Sequence, residues 1–203
     1  MAAGLEELDK FGRLLQRRYS CRGFLARPVA RATIERVLEA AQRTPSWCNA
    51  QPWQVHIASG AATERLRAAL RAHVPSNKAE PEWSFPREYR GVYLARRREC
   101  GFQLYDAVGI ARGDREASAR QGMENYSLFG APHVLIVTTE EALGVYGVLD
   151  CGAWVNNFML AAAAAGVACI AQAALATHPT PLREVFGAIA ISRPASQRIR
   201  YSR

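Results

Sequence analysis

The chain has 203 residues, the length of one domain or two small ones. Its 49% hydrophobic and 22% charged residues are ordinary globular values, which excludes a disordered or fibrous chain. Lys and Arg outnumber Asp and Glu by 26 to 18, and every base except Lys10 and Lys78 is arginine. A formal charge of +8 favours anionic partners, small or polymeric, over cationic ones.

In chain order, Leu5, Leu8, Phe11, Leu14 and Leu15 recur at helical steps and predict an amphipathic helix ending near Arg17. The segment Arg18-Tyr19-Ser20-Cys21-Arg22-Gly23-Phe24 follows, then a loop marked by Pro28. Residues 33–42 read as a second helix, with Ile34, Val37, Leu38 and Ala41 on one face and Pro45 as its stop. Residues 53–57 alternate like a strand, and 61–73 form a third helix with a wet arginine side. Residues 74–90, rich in proline and aromatics, are the best loop candidate. Residues 92–110 and 114–126 read as helices and 132–139 as a buried strand. Residues 145–165 make a long helix, apolar nearly all round, with Gly166 as its left-handed stop. A short strand at 167–171, a helical turn at 182–186 and a last strand at 188–191 complete the chain.

No repeat or linker divides the sequence. Residues 1–203 are expected to form one α+β domain, with helices covering a small mixed or antiparallel sheet. The apolar run 151–171 approaches the ~20 residues of a membrane span. It contains Asn156, Asn157 and Gly166, so a buried core helix is expected and no membrane partner. Residues 1–7 carry acids and no apolar core, unlike a secretory signal. The five cysteines hold no C-x-x-C pair and are odd in number. A reducing, cytoplasmic location without disulfides or a zinc site is the simpler reading.

Several chemistries are missing. The chain has no G-x-G-x-x-G after a strand, no phosphate-binding P-loop and no G-x-S-x-G elbow. Its four histidines have no metal spacing, so no metal is expected. Asp150 is read as an acid in the first turn of its helix, where capping explains it better than a ligand does. If the chain is an enzyme, a cofactor carries the reaction and no side chain need act as nucleophile.

Two constellations stand out. Arg18-x-Ser20-x-Arg22 in an extended chain puts two guanidinium forks and a hydroxyl on one face, a pattern suited to phosphate oxygens. A solvated basic turn after a helix is the competing reading. The run Thr44-Pro45-Ser46-Trp47-Cys48-Asn49-Ala50-Gln51-Pro52-Trp53 offers small polar groups between aromatics on a proline-restricted backbone. Its amides are donor and acceptor at once, which suits the edge of a flat polar ring. A plain helix-to-strand turn with Trp53 in the core is the alternative.

Together these runs resemble the nitroreductase family of flavin-dependent oxidoreductases. The likeness continues in order through Gly122-Met123-Glu124-Asn125-Tyr126, Phe129-Gly130-Ala131-Pro132-His133, Leu149-Asp150-Cys151-Gly152 and Asn157-Phe158-Met159-Leu160-Ala161-Ala162. It ends with Gln172-Ala173-Ala174-Leu175-Ala176, His178-Pro179 and Arg183-Glu184, most similar to the branch that reduces nitrobenzoates.

The resemblance implies a homodimer with FMN at both subunit interfaces and NAD(P)H, as NADPH or NADH, as co-substrate. It implies transfer of hydride through the flavin to a nitroaromatic, quinone or related acceptor in a ping-pong cycle. By position, Arg18, Tyr19, Ser20 and Arg22 would hold the phosphate and ribityl chain. Pro45, Ser46 and Asn49 would reach a flavin from the partner subunit, and Ala173, Ala174 and Leu175 would line its dimethylbenzene and N5 side. Arg200 and Arg203 resemble the family's basic phosphate-contacting segment. The family's tail is shortened after about residue 187, which implies a weakened dimer. The acceptor pocket is expected at the 74–90 loop and around Phe102 and Tyr105. A catalytically impaired flavin or ligand binder of the same fold is the alternative reading. A nucleic-acid binder, suggested by Arg96-Arg97-Arg98, is a further one, though no basic region interleaves aromatics and the run fits a solvated helix face.

Overall fold

Seven helices and three strands form from residues 2–187 and 200–202, the part of the chain that the computed structural model describes. The helices are α1 (Ala2–Arg17), α2 (Arg31–Ala41), α3 (Ala61–His73), α4 (Gly91–Ala107), α5 (Arg115–Met123), α6 (Gly144–Ala164) and α7 (Pro179–Phe186). The strands are β1 (Gln54–Ser59), β2 (His133–Thr138) and β3 (Arg200–Ser202). They make one mixed sheet in the order β2-β1-β3. β1 and β2 are antiparallel, with Gln54 opposite Thr138 and Ser59 opposite His133. β3 runs parallel to β1, with His56 opposite Arg200.

The period of two in β2 sorts the core into two layers. Leu135 and Val137 face Leu38, Ala41, Trp53, Ile57 and Trp154, between the sheet and helices α2 and α6. Val134 and Ile136 face Leu66, Leu70, Leu128, Leu175 and Leu182, under α3 and α7. The result is an α+β layer fold with the long helix α6 in the core, as the sequence implied. Asp114 caps α5 by accepting the Ala117 N–H at 2.8 Å. Gly166, at φ +74°, ends the α6 segment in the left-handed turn expected of it.

Three expectations change. β2 is half-buried along its whole length and not buried, because it is the outer strand of the described sheet. Residues 167–171 form a single bridge, Ser20 to Cys169, and no strand. Between β2 and that segment lies a largely apolar hollow of ≈ 1120 Å³, bordered by residues 133–137 and 167–173 and by the Trp154 and Phe158 rings. The strand expected at 188–191 lies outside the described residues, and the third strand is Arg200–Ser202. Finally, α6 is not buried all round. Gly147, Trp154, Leu160 and Ala162 are buried, while Val145, Val148, Leu149, Gly152 and Ala153 form an exposed stripe along one face. Among the described residues no helix is long and apolar enough to cross a membrane.

Candidate functional site

The segment after α1 is extended, and its side chains alternate. Tyr19, Cys21 and Gly23 border the largely apolar hollow, whereas Arg18, Ser20 and Arg22 do not. In an extended chain that puts the latter three on the opposite face. Among the described residues neither Arg18 nor Arg22 has a carboxylate partner. Backbone pairing holds the segment. The Cys21 N–H donates to the Cys169 carbonyl at 3.2 Å, and the Phe24 N–H donates to the Phe129 carbonyl at 3.2 Å. Behind Phe129 the turn 128–130 is fixed by Arg67, whose guanidinium donates to the carbonyls of Ser127 and Ala131. Burial pushes the Cys169 thiol up in pKa, and the charge of Arg18 opposes that shift. Tyr19, 64% exposed, falls on the other face from the arginines.

The bridge at Cys169 also brings the third group of expected residues close. Five residues on, the chain turns through Ala174–Thr177, with Leu175 buried and Ala173 exposed. Gln172 Nε2 donates to Asn125 Oδ1 at 3.0 Å, which ties this turn to the end of α5. The Glu80 N–H donates to the Thr177 carbonyl at 2.9 Å, and Arg183 pairs with Glu82. The 74–90 loop is therefore fastened beside this turn.

The Pro45–Gln51 loop is built differently. Cys48, Asn49 and Gln51 have φ of +50°, +55° and +46°, a left-handed backbone at three non-glycine residues. Such a conformation costs roughly 1–2 kcal/mol per residue and persists only where the surroundings impose it. Ser46 Oγ accepts the Gln51 N–H at 2.9 Å. Gln51 Nε2 reaches Asn49 Oδ1 at 2.8 Å, and Gln42 joins the same chain of amides to the Trp53 indole N–H. Two residues of α6 anchor the loop from outside. Asn157 donates to Thr44 Oγ1 at 2.8 Å, and Asp150 Oδ2 accepts the Trp47 N–H at 3.0 Å. Asp150 is the seventh residue of α6, so the first-turn capping role expected of it is incorrect.

The sites therefore divide. Arg17, which leads into the arginine segment, donates to the Ala163 carbonyl near the end of α6. Asp150, which holds Trp47, lies thirteen positions earlier, about 20 Å along the helix axis, and Asn157, which holds Thr44, six positions earlier, about 9 Å. Within one chain Tyr19, Cys21 and Gly23 share the hollow with Ala173 and Leu175, Arg18, Ser20 and Arg22 face away from it, and the 45–49 loop is held along α6 between Asn157 and Asp150. Arg200 lies in β3, and Arg203 is outside the described residues.

Residues 15–194 match the profile of the nitroreductase family. The chain belongs to that family. It is 33% identical over 177 residues to nitroreductase NfnB of Mycolicibacterium smegmatis, covering 86% of this chain and 75% of that protein. It is 29% identical over 176 residues to the 4-nitrobenzoate reductase of Pseudomonas putida, covering 87% and 78%. The solved structure of the FMN-dependent NfnB from Mycobacterium smegmatis in complex with NADPH superposes with a TM-score of 0.83 at 31% identity, covering 88% of this chain and 81% of that one. The FMN- and NADPH-dependent NfnB from Sphigopyxis sp. strain HMH gives 0.83 at 33% identity, covering 87% and 80%.

Within this nitroreductase fold the residues that sequence reasoning missed are the anchors. Gln42, Asn157 and the true contact of Asp150 left one signal, polar groups inside otherwise apolar stretches. The Arg96-Arg97-Arg98 run lies on the exposed surface of α4, where Arg97 covers the Tyr89 ring at 5.2 Å, consistent with a solvated helix face. No cluster of metal-ligating side chains occurs among the described residues.

Proposed function

We propose that this nitroreductase binds FMN and works as an FMN-dependent NAD(P)H oxidoreductase, passing electrons to a nitroaromatic, quinone or related small acceptor. The observation that carries the reading is the face of Arg18, Ser20 and Arg22, whose two guanidinium groups have no carboxylate partner among the described residues. Planar forks with unspent donors fit a phosphate monoester, and Ser20 adds a neutral donor. Bound FMN would supply the hydride chemistry, exchanging two electrons with NAD(P)H and the acceptor in turn. The chain's own part is to bind, orient and exclude water. Arg18, Ser20 and Arg22 hold the phosphate end, Tyr19 on the other face of the segment lies toward the ribityl chain, and Ala173, Ala174 and Leu175 shape the ring side. The 74–90 loop, tied to Thr177, borders the acceptor and sets its choice together with Phe102 and Tyr105.

Pro45, Ser46 and Asn49 complete the site from a second copy, because one chain anchors their loop at Asn157 and Asp150, about 9 to 20 Å along α6 from the residue that Arg17 holds. The exposed apolar stripe of α6 supports that homodimer. The five cysteines, none in a disulfide, support a reducing, cytoplasmic setting.

The test is to add FMN to the purified protein, remove excess by desalting, and record the visible flavin spectrum. A retained yellow band that bleaches with NADPH or NADH without oxygen and returns with a nitroaromatic is the expected result. Flavin retained without turnover identifies an impaired binder, and a protein that stays colourless refutes the reading.

A further inference from the structure

Asp150 is the one acid within α6, and among the described residues it forms no ion pair. Its carboxylate is aimed instead at a backbone N–H, that of Trp47, at 3.0 Å. That N–H opens the turn Trp47–Asn49, in which Cys48 and Asn49 are left-handed. One helical turn before Asp150, the Tyr146 ring lies 5.5 Å from the Trp47 ring, so α6 holds Trp47 by backbone and side chain together. The other contacts of the turn, from Ser46, Gln51 and Gln42, come from the loop itself or from the end of the preceding helix. They fix its internal shape; Asp150 and Tyr146 hold the turn itself to the core helix, while Asn157 holds the start of the loop through Thr44.

We propose that Asp150 is a positioning residue that locks the left-handed 47–51 turn onto α6 and so presents Ser46 and Asn49 to the flavin of the opposite subunit. The role rests on the FMN reading for its consequence, and on geometry alone for the lock. A carboxylate accepting a backbone N–H is a charge-assisted bond, stronger than a neutral one. Asparagine can still accept through its amide oxygen, whereas alanine cannot. The structure therefore separates two substitutions of similar position and different acceptor capacity.

The experiment compares the full-length protein with Asp150→Asn and Asp150→Ala. Hydrogen exchange of the peptide containing the Trp47 amide is measured without flavin, and FMN affinity by quenching of flavin fluorescence. Thermal melting checks that each variant is folded. In Asp150→Ala the Trp47 amide should exchange at least about tenfold faster, and FMN should bind roughly 10- to 100-fold more weakly. Asp150→Asn should restore most of both. Unchanged exchange in the alanine variant overturns the lock. Equal FMN affinity for wild type and Asp150→Ala overturns the positioning role, and an asparagine variant as poor as alanine overturns the hydrogen-bond basis. If the wild type takes up no FMN, the flavin reading falls and the role in presenting Ser46 and Asn49 falls with it. The exchange comparison then still decides whether Asp150 locks the turn.

Discussion

Leu149→Ala probes whether α6 meets a second copy of itself. Leu149 is 63% exposed and lies on the stripe with Val145, Val148, Gly152 and Ala153, spaced as one helix face. Burying a whole leucine side chain stabilises by about 1.5–3 kcal/mol. With 63% of Leu149 facing water in the single chain, covering it recovers about 1–2 kcal/mol. A two-fold interface counts the residue twice, giving about 2–4 kcal/mol per dimer. The substitution should then raise the dimer dissociation constant roughly 30- to 900-fold. Gly152 and Ala153 on the same stripe allow the two helices to approach closely, so the lost side chain cannot be replaced by a longer neighbour. Sedimentation over a concentration series reads the constant directly. Because the residue contributes little to the core of its own chain, melting of the isolated monomer should scarcely move. A dissociation constant equal to that of wild type would refute the reasoning, as would a wild-type protein that is monomeric at every concentration.

On the FMN reading, Arg22→Ala would remove one charge-assisted contact to the phosphate and should weaken binding by about 1.5–3 kcal/mol, read by flavin titration. An unchanged affinity would remove Arg22 from the site. His133 gives an acid-stability prediction. Its Nε2 accepts the Val29 N–H at 2.9 Å, its Nδ1 lies 2.8 Å from Ser59 Oγ, and burial lowers its pKa below the ordinary histidine value. The neutral ring is thus favoured by folding. Its contribution is intact above the unfolded value of about 6.5 and is lost as pH falls through the lower folded value. In urea unfolding, His133→Leu should be less stable than wild type at neutral pH by about 1–3 kcal/mol, with a shallower fall in acid. Equal acid slopes in the two proteins would count against the assignment.

The helices were legible because amphipathic spacing reports a face, and a face is a local property. Val37, Leu38 and Ala41 of α2 are buried at the spacing that announced them. The alternation at residues 18–23 was legible for the same reason, since a period of two needs only an extended backbone. What was not legible depends on neighbours distant in the chain. The apolar run of β2 suggested full burial, but an outer strand and a central one can share a composition. The apolar surface of α6 likewise looked like core, because composition alone does not say which side of a helix its own chain covers. Asp150 was misread since an acid near a helix start has a common local explanation, while its partner, Trp47, is 103 residues away. The left-handed turn at Cys48–Gln51 had no glycine to signal it; its conformation is imposed by hydrogen bonds from side chains.

The two halves of the proposed site are held by different means, and this permits a test of their sharing. Residues 18–22 are fixed by backbone pairing to Cys169, within one chain. Residues 45–51 are fixed by α6 of the same chain but would serve the opposite flavin. On the proposed dimer, a lesion at Arg22 and a lesion at Asp150 in the same chain would therefore fall on different sites. In a mixed dimer of Arg22→Ala and Asp150→Ala chains, one site carries both lesions and the other carries neither. Random re-association of equal amounts makes half the dimers mixed, so about one quarter of all sites should regain wild-type FMN affinity. Neither parent alone should show any such sites. Were each site built from a single chain, every site in the mixture would keep one lesion, and no tight-binding fraction would emerge.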